Sequence, residues 1–283
     1  MMAPIISKIP SRAMGYNGRV IFTVLNLAVG AAVPAIAQIR AFPAVEAFEY
    51  PVGASRSSGV SGRLLSVRRA ESLFGIEREA EASIGENVPV IGFGDSAPGF
   101  LGLTIRVLGR FSLDDAKSAL ISNDWVVGIH AVVDRGPWRM AVEGYHESSH
   151  LGDEYAERFN VGRIDWTRGV VSGWVRRRVG PLAAHATASY TVLDELSLPR
   201  GAVGLGLEYR GSDRAVRPVA GVFAESIGYA GWSVTTSARA GVELGGARGR
   251  VAVGLVYLDG RSTQRQFYRR PSRYYGFELR FDF

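Results

Sequence analysis

Apolar and polar positions alternate with a period of two along most of this chain, over about ten residues at a time, with turn residues between the runs. This is the pattern of strands with two unlike faces. In Tyr275-Gly276-Phe277-Glu278-Leu279-Arg280-Phe281-Asp282-Phe283 the odd positions are aromatic or aliphatic and the even ones small or charged. Trp232, Val234, Thr236, Ala238, Ala240 and Val242 share one strand face, and Val251, Val253, Leu255 and Tyr257 another. Leu182, Ala184, Ala186 and Ala188 alternate with His185, Thr187 and Ser189, and Leu101, Leu103 and Ile105 with Gly102 and Thr104. Val127, Ile129, Ala131 and Val133 lead into the turn Asp134-Arg135-Gly136. Counted this way, the pattern predicts about twelve strands, near 73–84, 87–94, 100–112, 124–134, 137–148, 164–178, 181–193, 200–210, 216–226, 231–243, 248–258 and 273–283.

An even strand number suits a closed membrane barrel with both termini on one side. The connections near 97, 135, 180, 213 and 246 are short, and those at about 112–123, 149–163 and 259–272 are longer, the asymmetry expected of periplasmic turns and extracellular loops. The predicted fold is therefore all-β, an antiparallel transmembrane β-barrel of about twelve strands behind an N-terminal signal peptide. Alternation running to a terminal aromatic resembles the last strand of bacterial outer-membrane barrels. That resemblance implies recognition by the barrel assembly machinery through Phe283.

The N-terminus reads as an export signal. Lys8, Arg12 and Arg19 precede a mostly apolar run from Val20 to Val33, and Ala35-Ile36-Ala37 supplies a small-residue cleavage pattern before Gln38. The domains expected are a signal peptide at 1–37, cleaved near Ala37, a periplasmic extension at 38–72, and the barrel at 73–283. The extension, rich in Ser, Arg and Ala, has no clear period and is expected to be partly ordered inside or beneath the barrel. Residues 1–37 carry three basic and no acidic residues, so the formal net charge of +6 falls to +3 without them. Lys117 is the one lysine beyond the signal, the arginines are dispersed, and no basic platform indicates a nucleic-acid partner. The absence of cysteine excludes disulfides, thiolate metal sites and a cysteine nucleophile.

Candidate chemistry concentrates in Tyr145-His146-Glu147-Ser148-Ser149-His150-Leu151-Gly152-Asp153-Glu154-Tyr155. On the strand Trp138–Ser148, parity puts Trp138, Met140, Val142, His146 and Ser148 on the apolar, lipid-side face. Arg139, Glu143 and Glu147 fall on the other, where together with Arg106 they would line a lumen. Residues two apart on one strand face are about 6.5–7 Å apart at Cα, close enough for an imidazole to reach a serine oxygen. The run resembles the signature of an uncharacterised bacterial outer-membrane family, a domain of unknown function, which implies no activity. His-x-Ser on the outer face is also similar to the catalytic pair of outer-membrane phospholipase A and of the lipid A deacylase barrel. In those enzymes the orienting residue follows twelve positions after the serine, and here that position is Asn160. The resemblance implies Ser148 as nucleophile, His146 as general base and Asn160 as orienter of the imidazole, acting on acyl esters of outer-membrane lipids. Ser149 departs from the asparagine those enzymes carry, so the match covers three positions.

The same residues admit other readings. His150, Asp153 and Glu154 offer an imidazole and two carboxylates in the loop after the strand, a candidate metal set that suits Ca²⁺ through its oxygens. The phospholipase resembled needs calcium as well. The alternative to an enzyme is a structural or channel-type barrel whose extracellular loop binds an ion or plugs the mouth. His130 and His185 are expected inside the barrel, and Arg176-Arg177-Arg178 at a periplasmic turn. Gly204-Leu205-Gly206 belongs to a strand, not to a phosphate loop, since no helix follows.

Overall fold

A computed structural model of the chain describes residues 39–282 except 75–77, 95–98, 115–116, 213–214 and 247–248. The signal-peptide assignment at 1–37 and the terminal Phe283 lie outside the described residues. The strands are β1 (Arg40–Ala41), β2 (Val60–Arg69), β3 (Arg78–Phe93), β4 (Gly99–Ser112), β5 (Leu120–Arg135) and β6 (Trp138–Leu151). After the helix α1 (Asp153–Phe159) come β7 (Trp166–Val179), β8 (Leu182–Asp194), β9 (Gly201–Arg210), β10 (Val216–Ile227), β11 (Val234–Gly246), β12 (Gly249–Arg261) and β13 (Pro271–Asp282). From β3 to β13 each strand pairs antiparallel with the next, and β2 closes the ring by pairing with both β13 and β3. The result is a closed barrel of twelve strands, with β1 an added bridge on β3 at Arg40↔Gly92 and Ala41↔Ile91.

Alternation decides what each face meets. Outward positions carry exposed apolar side chains around the circumference, among them Leu103, Ile129, Val142, Leu207, Leu255 and Phe277. Inward positions carry buried charge, including Arg63, Arg110, Glu143, Glu147, Arg168, Glu208 and Glu278. An apolar outside around a polar inside is the arrangement of a barrel whose solvent is lipid. Fourteen residues in β4 span about 46 Å at about 3.3 Å each, and at a tilt near 40° they cross about 35 Å, a bilayer's thickness. Outward Trp125, Tyr190, Trp232 and Tyr257 stand toward the rim of long loops, and Trp138 and Tyr209 toward the rim of tight turns. These positions are those of interfacial aromatic girdles.

The strand number agrees with the sequence reading, but the first two strands do not. The segments read near 73–84 and 87–94 are one sixteen-residue strand, β3. Gly85 inside it is a packing glycine: a Cβ there would lie 2.3 Å from the Ile105 carbonyl oxygen. The missing strand is β2, within the stretch read as an extension at 38–72. Its apolar Leu65 and Val67 point inward, onto Val256, Leu258 and Tyr274, while its outward row includes Gly62, Ser66 and Arg68. Lipid-facing alternation is therefore muted there. The barrel begins at residue 60, and only 39–59 precede it among the described residues.

Candidate functional site

Residues 43–58 run through the lumen. Phe48, Tyr50 and Ala54 are buried against Phe100, Val132, Ala141 and Phe223, with Trp174 packed alongside. The Tyr50 ring meets Trp174 edge-on at 5.0 Å and lies beneath the Arg106 guanidinium at 4.3 Å. Around this apolar contact the segment is held by side chains of the wall. Tyr50 Oη donates to Glu143 (2.6 Å), and the Val52 N–H donates to Glu208 (3.0 Å). Arg139 donates to the Ala47 carbonyl, Asn87 to that of Phe48, Ser237 to that of Gly53 and Arg63 to that of Ser55. The backbone polar groups of a segment without a strand partner are thus met by lumen side chains, as burial demands. Gly53 permits the closest approach: a Cβ there would sit 2.6–2.7 Å from the Val222 backbone.

Arg56 is the segment's furthest reach. Its guanidinium donates to Asp124, to Glu147 Oε1 (2.8 Å) and to the Thr263 carbonyl (2.7 Å). Glu147 also accepts from Trp166 Nε1 (3.0 Å) and from Arg265 Nε (2.9 Å). Burial opposes the charge of Arg265, but Glu147, Tyr229 and Asp124 together hold its pKa well above the ordinary arginine value. Arg265 therefore keeps its charge despite its burial. Arg265 belongs to the loop between β12 and β13, which folds over the long-loop mouth. Gln266 from the same loop donates to the Ser149 and Ile164 carbonyls, and Phe267 packs on Tyr155 of α1. Tyr155 Oη in turn accepts the Leu73 N–H at 2.7 Å. The inserted segment fills the lumen, and two long loops cover the opposite mouth.

The residues singled out from sequence are placed as follows. His146 is exposed and Ser148 half-buried on the outer face of β6, as parity required. His130 and His185 are buried inside, against Thr104 (3.0 Å) and Glu208 (3.1 Å). Among the described residues no hydrogen bond joins His146 to Ser148, or either of them to Asn160. Asn160 does not stand on β7. It caps α1 in the left-handed conformation (φ 48°, ψ 47°), its N–H turned back to the Ala156 and Glu157 carbonyls. Across from His146 and Ser148 are Gly169 and Thr167. Beyond this cap, Trp166 and Arg168 of β7 are each 1 % exposed and face inward.

The loop set is dispersed too. β6 continues to Leu151, which puts His150 on the outer face beside Ser148 instead of in the loop. Asp153 pairs with Arg163, and Glu154 is exposed in the first turn of α1. Among the described residues no group of three or more His, Asp or Glu side chains converges, so His150, Asp153 and Glu154 do not gather around one point.

Sequence reasoning missed Tyr50, Val52 and Arg56. The only available signal was an aromatic pair, Phe48 and Tyr50, within an otherwise aperiodic stretch. It foresaw the lumen lining of Arg106, Arg139, Glu143 and Glu147.

Residues 65–168, a span that includes the histidine run, match the model of a family described as Protein of unknown function (DUF1207), in keeping with the resemblance to a domain of unknown function. No curated protein matches the chain. Among solved structures, KdgM porin aligns at a TM-score of 0.45 and 11% identity, over 80% of this chain and 99% of that one. LpxR from Salmonella typhimurium aligns at 0.44 and 10%, over 80% and 100%. OmpT of Vibrio cholerae in its trimer form aligns at 0.36 and 8%, over 79% and 97%.

Proposed function

We propose that this chain is a bacterial outer-membrane barrel whose charged lumen is a path for hydrophilic solutes, held shut by residues 43–58. The observation that carries the reading is how the segment is attached. β1 pairs near the tight-turn end of β3, and β2 begins opposite Phe281 near the end of β13. The segment between them is thus a loop anchored at the tight-turn, periplasmic rim, and it can withdraw without breaking a barrel ladder. What it leaves behind is a wall rich in Arg, Glu and Asp side chains, which water can solvate at modest cost, together with the apolar patch of Phe100, Val132, Ala141 and Phe223. Current recording from the full chain in a planar bilayer tests this. Wild type is expected to be closed most of the time, and Arg56→Ala to raise the open fraction. A variant as silent as wild type would refute the gate.

A second reading is lipid acyl-ester hydrolysis at the outer face. It is favoured by His146 and Ser148 sharing that face two positions apart, with Ser148 as nucleophile and His146 as base. Asn160 caps α1 and, among the described residues, makes no hydrogen bond to His146, and the hydroxyl across the ladder from Ser148 belongs to Thr167. Lipid release from vesicles by wild type and by Ser148→Ala decides it, and equal release removes Ser148 from the chemistry.

A further inference from the structure

The outer wall from β8 to β13 is indented. Small outward residues, Ala220, Ala238 and Ala240, form the floor of an apolar groove of about 1010 Å³, with Ala184 beyond the ridge of Leu207 and Tyr209. Leu182 and Tyr209 stand on one flank, and Tyr257 and Phe277 on the other. The floor lies where Ala220 is opposite Ala240 and Ala238 is opposite Val222, between Leu207 and Tyr209 on β9 and Leu255 and Tyr257 on β12. A lipid-facing wall of large side chains would be convex, with no room for a chain to lie in it.

Charge marks one end. Arg177 also lines the groove, at the tight-turn rim. Its guanidinium lies over the Trp138 ring at 5.2 Å, and among the described residues no carboxylate pairs with it. Exposed Arg135 stands across from Trp138 on the neighbouring ladder. An arginine stacked on an aromatic keeps its edge donors free for a phosphate, and tryptophan at this height marks the headgroup level.

The geometry points to a bound phospholipid with an anionic headgroup, its acyl chains in the groove and its phosphate on Arg177. The groove needs only that the barrel sits in a membrane, so this site stands or falls independently of the gate.

Native mass spectrometry of the full chain, released from vesicles of equal phosphatidylglycerol and phosphatidylcholine, tests it. Wild type is expected to retain one lipid, with about a fivefold preference for phosphatidylglycerol, the effect of one arginine at a lipid surface. Arg177→Gln should abolish the preference while keeping the lipid. Ala240→Phe, which fills the floor from an exposed outward position, should reduce retention of both lipids. Folding of each variant is checked by its compact migration on unheated gels. Wild type without a preference, or both variants retaining lipid as wild type does, would overturn the site. A dimeric mass that Ala240→Phe converts to monomer would assign the groove to a second copy and overturn it equally.

Discussion

Removing the Arg56 guanidinium should free the lumen segment before it unfolds the barrel. Arg56 is 12 % exposed at its side chain, and its partners Asp124 and Glu147 are at 0 % and 4 %. Breaking a buried ion pair from one side costs about 3–5 kcal/mol. The lower end applies here, because Glu147 keeps Arg265 and Trp166, and Asp124 keeps a long contact from the Arg265 N–H at 3.4 Å. About 3 kcal/mol, at about 1.4 kcal/mol per tenfold, raises the withdrawn population by about two powers of ten. The chain has no cysteine, so a single Val52→Cys reports withdrawal through its rate of reaction with a bulky thiol reagent. Val52 is 3 % exposed, and the rate tracks the open fraction when closing is fast. Adding Arg56→Ala should accelerate labelling about a hundredfold, and Arg56→Lys, which keeps the charge but loses the fork, should fall between. A cysteine at Leu258, 0 % exposed in the wall, should stay unreactive throughout. If Val52→Cys labels at the same rate with and without Arg56, the latch does not exist. If Leu258→Cys accelerates in parallel, the loss is global.

Three further outcomes follow from local geometry. Gly152→Ala would put a Cβ 1.8 Å from the Leu120 carbonyl oxygen and should destabilise the barrel by about 1–3 kcal/mol, read as a lower thermal midpoint; an unchanged midpoint contradicts this close approach of Gly152 to the start of β5. At the left-handed cap, Asn160→Gly should be neutral and Asn160→Ala should cost about 1 kcal/mol, whereas loss of lipid release in both, at unchanged stability, would return Asn160 to a catalytic role. Tyr155→Phe leaves the Leu73 N–H without its acceptor and should cost about 1–3 kcal/mol, seen as faster proteolysis of the loop rim, with no change in Val52→Cys labelling.

How much could be read from sequence differs strand by strand. In β6 the alternation is unambiguous, so Glu143 and Glu147 were placed inside and His146 and Ser148 outside without reference to any neighbour. β7 carries large apolar residues on both faces, with Trp166 and Trp174 inward and Val171 and Val175 outward. Parity along β7 therefore does not distinguish its inner face from its outer one. The candidate triad was legible only where it depended on one strand's parity. Its third member depended on loop conformation, which the twelve-residue spacing does not encode.

By itself the sequence determined the fold class and the sidedness of most strands, while its count of twelve was reached with one strand read as two and another read as extension. Period-two burial is local, and a membrane imposes it on every strand alike. Only the tertiary structure decided what fills the barrel. The inserted segment has no strand partner and so no period; Tyr50 finds Glu143 across 93 residues, and Val52 finds Glu208 across 156. Contacts made by individual side chains at such separations leave no pattern along the chain, and they exist only once the wall has closed around them.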